Sequence, residues 1–73
     1  MHKQLQYIVL QHHGEWKVLL DRYHGPYGDR DAAISNAIEA ADRARRHSRA
    51  SQVILRERDK DRLLWSSEQN IIH

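Results

Sequence analysis

Four short runs of alternating apolar residues, two on either side of one alanine-rich segment, constrain this chain more than anything else in it. Tyr7-Ile8-Val9-Leu10 and Trp16-Lys17-Val18-Leu19-Leu20 flank His13-Gly14, while Val53-Ile54-Leu55 and Leu63-Leu64-Trp65 flank Asp59-Lys60-Asp61. Apolar alternation with period two marks a strand with one face against a core; apolar residues three and four apart mark a helix. The order predicts an α+β fold, ββαββ: two antiparallel hairpins forming one sheet, with a single helix packed on one face. A chain of 73 residues holds one such layer pair, so 1–73 reads as one domain. Residues 4–66 form its ordered core and 67–73 a C-terminal tail.

The first hairpin has a consistent register. A two-residue turn at His13-Gly14, with glycine supplying a positive φ, pairs His12 with Glu15, Val9 with Val18 and Tyr7 with Leu20. Side chains alternate across a strand. Tyr7, Val9, Gln11, Trp16, Val18 and Leu20 then share one face, and Ile8, Leu10, Lys17 and Leu19 the other. The face with Trp16 carries more apolar bulk and is assigned to the helix. Residues 21–28 hold Gly25-Pro26 and Gly28 and read as a loop. Two tyrosines around its Gly-Pro turn could grip a ligand, or pack beneath the loop to fix its course.

Asp29 is a candidate N-cap, and the helix runs over residues 31–46 with an apolar stripe of Ile34, Ala37, Ile38, Ala41 and Ala44. Glu39 with Arg43, and Asp42 with Arg46, stand at the i,i+4 spacing that favours ion pairs. Residues 47–51 cross to the third strand. In the second hairpin, a three-residue loop at 59–61 pairs Leu55 with Trp65 and puts Val53, Leu55, Leu63 and Trp65 on the buried face. A two-residue turn at Asp59-Lys60 pairs Leu55 with Leu64 instead. One slip in register reverses the faces and exposes the tryptophan, which favours the first.

A core this small is marginally stable alone. Without cysteine there are no disulfides or thiolate metal sites, so a partner subunit is the remaining common support. No run approaches the roughly 18 apolar residues of a membrane span, and no apolar leader precedes the first strand. A cytoplasmic protein with no membrane association is the expectation. Charged residues make up 30% of the chain but nearly cancel, leaving a net charge of +2, which argues weakly for nucleic acid.

Each chemical motif competes with a plainer explanation. His12, His13 and His24, with Asp21 or Glu15, could converge on a metal, but their spacing follows no ligand pattern and suits a solvated hairpin tip. The reading is that the chain holds no metal and no cofactor. Arg43, Arg45, Arg46 and Arg49, together with Arg56 and Arg58, could form a stripe that contacts phosphates. Against this, Arg43 and Arg46 have acids at i−4, and cations suit a helix C-terminus. There is no glycine-rich phosphate loop, nucleophile elbow or cysteine nucleophile, so the chain is read as non-enzymatic.

One feature outlasts its plainer explanation. The face away from the helix carries Ile8, Leu10, Leu19, Ile54 and Leu64. A sheet with one wet face should alternate apolar with polar more cleanly. A contiguous aliphatic group there marks an interaction surface, covered either by Ile71-Ile72 of the tail or by a second copy of the chain. The expected function is a small interaction module, a homodimer with this face or a sheet edge at the interface. The alternative is a nucleic-acid-binding domain that uses the arginines.

The strings Gly14-Glu15-Trp16-Lys17-Val18 and Gly25-Pro26-Tyr27-Gly28-Asp29-Arg30-Asp31-Ala32-Ala33-Ile34, followed by the alanine-rich helix and Val53-Ile54-Leu55, resemble a family of short bacterial proteins of unknown function. Its members carry a Gly-Trp-x-Val strand, an aromatic loop, a capped helix and a final hairpin. The resemblance implies two hairpins and one helix and brings no activity. The chain departs from it at the last turn, where Asp59-Lys60-Asp61 stands in place of the usual glycine. A fainter likeness links it to the antitoxin halves of bacterial toxin–antitoxin pairs, without their DNA-binding segment.

Overall fold

The structure is a computed structural model that describes residues 4–67. Its elements run β1 (Leu5–His12), β2 (Glu15–Leu19), β3 (Tyr23–Tyr27), α1 (Arg30–Arg46), β4 (Ser51–Glu57) and β5 (Lys60–Ser66). The strands form one mixed sheet in the order β3-β2-β1-β4-β5. All neighbours are antiparallel except β1 and β4, which run parallel at its centre. The fold is α+β, but it is not two antiparallel hairpins: there are five strands, and a parallel pair joins the two halves.

The correction begins at residues 21–28. Instead of a loop, Tyr23–Tyr27 pairs along β2, with Trp16 opposite Tyr27 and Leu19 opposite Tyr23. Three residues of β3 are spent between His24 and Tyr27 where β2 spends two between Val18 and Trp16, a bulge that accommodates Gly25-Pro26. Proline has no N–H to give a further strand, so it is tolerated on an edge, where none is needed. With β3 in place, α1 becomes a crossover. It leaves one edge, packs mainly on β4 and β1, and delivers β4 parallel to β1.

The first hairpin keeps its expected register. His12 pairs with Glu15 and Val9 with Val18. His13 (φ 55°) and Gly14 (φ 78°) both take positive φ, as a type I′ turn requires. The strand ends at Leu19, and the Leu20 N–H turns to bond Arg22 O instead of continuing opposite Tyr7. Asp29 caps the helix, its Oδ1 accepting from Ala32 N at 2.8 Å.

The second hairpin turns one residue earlier than either expected version. Glu57 pairs with Lys60 across Arg58-Asp59, with Arg58 at φ 57°. Leu55 therefore faces Arg62, and Ile54 faces Leu63. A register shift between Val53 and Ile54 then steps over Leu64, so Val53 meets Trp65. The bulge turns two consecutive side chains inward: Leu64 and Trp65 both pack against the core.

That core is Tyr7, Val9, Val18, Val53 and Leu55 beneath Ala33, Ala37 and Ala41 of the helix, with Val9 and Val53 at 0% exposure. Alanine at every fourth position lets the helix sit close to the sheet. Ser51 is buried among these groups and donates its hydroxyl to Ala41 O at 2.8 Å.

Candidate functional site: the open face of the sheet

Side chains that alternate away from the core line the other face of the sheet, which α1 does not cover. The registers align them in rows across the strands. One row reads Leu19, Ile8, Ile54, Leu63 from β2 to β5, and beyond it Lys17 pairs with Leu10 and Arg56 with Asp61. The aliphatic centre is therefore Ile8, Leu10, Leu19, Ile54 and Leu63. Leu63 is 49% exposed and the others are half-buried by their neighbours. Leu64, assigned to this face from the sequence, packs against the core instead; the bulge exchanges it for Leu63. The Ile71-Ile72 segment, considered as a cover for the face, lies outside the described residues.

A polar frame surrounds this centre, and its members are paired with one another. Gln6 Nε2 donates to Gln52 Oε1 at 3.2 Å. Arg56 grips Asp61 through two hydrogen bonds, of 2.8 and 3.1 Å. The hydrogen bond from Arg56 holds the Asp61 carboxyl below its usual pKa. Lys17 lies 3.7 Å from Glu15. Tyr23, 42% exposed, lies flat on His12 with ring centroids 4.1 Å apart and planes 14° apart, and Lys17 Nζ sits 5.9 Å from the tyrosine ring centroid. Loss of hydration, then the nearby charges of His13 and Lys17, push the His12 pKa down and favour the neutral ring. From sequence Tyr23 reads as part of a loop that grips a ligand or packs on itself, and its place on the open face is missed because the segment is a strand. Its signal is the period-two spacing of Tyr23, Gly25 and Tyr27, interrupted by Pro26.

The histidine cluster weighed as a metal-site alternative is not assembled. His12 faces the open side, whereas His24 stands opposite the buried Val18 and so faces the helix side. Among the described residues no group of three His, Asp or Glu side chains is placed to hold a metal ion.

The arginine stripe is also divided. Arg45 and Arg46 both bond Asp42, at 2.6 and 3.1 Å, and the Arg45 hydrogen bond lowers the Asp42 pKa. Arg43 and Arg49 line a concavity near the C-terminal end of the helix. Arg58 lies at the far end of β4, in a concavity of about 700 Å³ where Glu57 and Asp59 alternate with Lys60 and Arg62. Arg56 belongs to the open face. Seven residues of β4 at ~3.3 Å each separate the two ends by about 20 Å, so these six side chains do not form one phosphate-binding surface. The expected Glu39–Arg43 ion pair does not form among the described residues, whereas Asp42–Arg46 does.

Among the described residues no helix is long and apolar enough to cross a membrane. Compared with known proteins, the chain matches no family model, no curated protein and no solved structure.

Proposed function

We propose that this chain is a non-enzymatic interaction module that pairs with a second copy of itself through the open sheet face. The supporting observation is the pattern of that face: a contiguous aliphatic centre inside a frame of polar groups satisfied by one another. This is the anatomy of a protein–protein interface, apolar at its core and polar at its rim.

The rows also match themselves under a twofold rotation. An axis along the strands, between β1 and β4, sets Ile8 over the partner's Ile54 and Leu19 over the partner's Leu63. The same operation sets Lys17 over the partner's Asp61. Apolar meets apolar and positive meets negative, which an isologous contact requires. The operation overlays four strands, β2, β1, β4 and β5, which at ~4.8 Å each cover about 19 Å, and seven residues at ~3.3 Å give about 23 Å of length. Two such faces stacked bury on the order of 1,000 Å², at the lower limit of specific interfaces, which suits micromolar affinity.

Sedimentation tests this reading. The chain should be dimeric at about 100 µM, a concentration matched to an interface of that size. Leu19→Lys should leave it monomeric with an unchanged helix signal. Lys17→Asp should weaken the dimer, and adding Asp61→Lys should restore part of the lost affinity. A wild-type monomer at that concentration removes the proposal, and a failed charge exchange removes the twofold arrangement.

A further inference from the structure

We infer that the seam between the helix and the sheet is a binding site for a small amphiphilic acid, an apolar body with one carboxylate. Two concavities on the helix side meet at Tyr7, Ala40 and Arg43, which line both. The first, about 320 Å³, lies between α1 and the β2–β3 edge and reaches Leu20 and Tyr27. The second, about 400 Å³, continues past Leu5 and Ala44 to His47 and Arg49. Together they form one trough beside the helix. Its cause is the alanine stripe: small side chains bring the helix close over β1 and β4 and leave the seam toward β3 unfilled.

The two ends differ chemically. The covered part of the lining is apolar, with Tyr7, Val18 and Ala37 buried and Leu20, Tyr27 and Ala40 half-buried, while the exposed His24 and Asn36 stand at its rim. At the helix C-terminal end stand Arg43, His47 and Arg49, all exposed and none in an ion pair among the described residues. Glu39 is on the rim one turn before Arg43, so the cationic end is the one beyond it. A helix C-terminus ordinarily repels an anion. Here the last carbonyls are occupied, Ala44 O accepting from His47 N and Arg49 N, and Arg45 O from Ser48 N. A trough with an apolar floor that ends in two free guanidinium groups complements a ligand with an apolar chain and an anionic head, and the planar guanidinium pairs bidentately with a carboxylate. The trough lies on the opposite side of the sheet from the open face, so it stands or falls independently of the dimer.

Titration of the full-length protein with sodium decanoate, followed by calorimetry and by amide shifts in nuclear magnetic resonance, tests the assignment. Saturable one-to-one binding is expected, with shifts at Tyr7, Tyr27 and Ala40 and none at Ile8 or Ile54. Replacing both cations, Arg43→Gln with Arg49→Gln, should weaken decanoate roughly tenfold, the scale of a charge-assisted hydrogen bond, and leave decanol unchanged. Ala40→Leu, which fills the trough, should abolish binding of both. Equal affinity for decanoate and decanol, or equal losses for both in the arginine variant, would overturn the carboxylate assignment. Absence of saturable binding would overturn the site.

Discussion

Ser51 ties three elements together with one residue. Its hydroxyl donates to Ala41 O in the helix, its N–H donates to Ser67 Oγ at 3.0 Å, and its carbonyl accepts from Ser67 N at 2.9 Å. The position is completely buried, so each of these polar groups would be costly without its partner. Removing the hydroxyl alone, in Ser51→Ala, is expected to lower the unfolding free energy by about 1 kcal/mol in urea denaturation, the net worth of one such bond. Ser51→Val should cost more, because it adds methyl groups to space already filled. Nothing in the sequence pointed to this residue. A single serine between a helix and a strand reads as connection, and its role depends on how close the alanine face brings Ala41 to β4. The cap at Asp29 is the opposite case: its carboxylate serves its own first turn, a local interaction that spacing alone reveals.

The elements divide along the same line between local and distant causes. The first hairpin and the helix were legible because turn chemistry, capping and periodicity all act within a few residues. The third strand was not, because its stability comes from pairing with β2, and Gly25-Pro26 disguises it as a break. Likewise the bulge at Leu64 follows from where β5 must meet β4, which no local signal encodes. It is also why one residue of the open face was misassigned while Ile8, Leu10, Leu19 and Ile54 were not. The edge strand carries its own test. Gly25 has φ 118°, and a Cβ placed there would lie 3.0 Å from the Tyr27 ring. Gly25→Ala is therefore strained both in its backbone and against an aromatic neighbour, and should destabilise the protein by roughly 1–3 kcal/mol. Hydrogen exchange locates the effect. Protection should fall in β2 and β3 while β4 keeps its own, whereas uniform loss across the sheet would mean that β3 is not a separable edge.

At the scale of the whole molecule, one layer of helix covers one side of a five-stranded sheet and leaves the aliphatic rows on the other side uncovered. His12 stands on β1 at the rim of the proposed interface, stacked on Tyr23 of the edge strand, and its protonation should report on assembly. The His12 pKa is already lowered in the single chain, first by lost hydration and then by the charges of His13 and Lys17, with Glu15 opposing. A partner sheet laid over it removes more water and lowers the value further. The sign follows directly. A group whose pKa falls on folding or association binds its proton more readily in the dissociated, unfolded or uncovered state. Its neutral form supports the assembly fully above the ordinary histidine value of about 6.5, and that support is lost as the pH falls below it. Dimerisation measured by sedimentation should therefore weaken between pH 7.5 and 5.5, a window above the range where Asp61, held below its usual pKa by Arg56, takes up a proton. His12→Gln should keep an uncharged ring-sized neighbour for Tyr23 and flatten the dependence. A dimer equally strong across that window, in wild type and variant alike, would place His12 outside the contact and require the partner sheet to sit nearer β5.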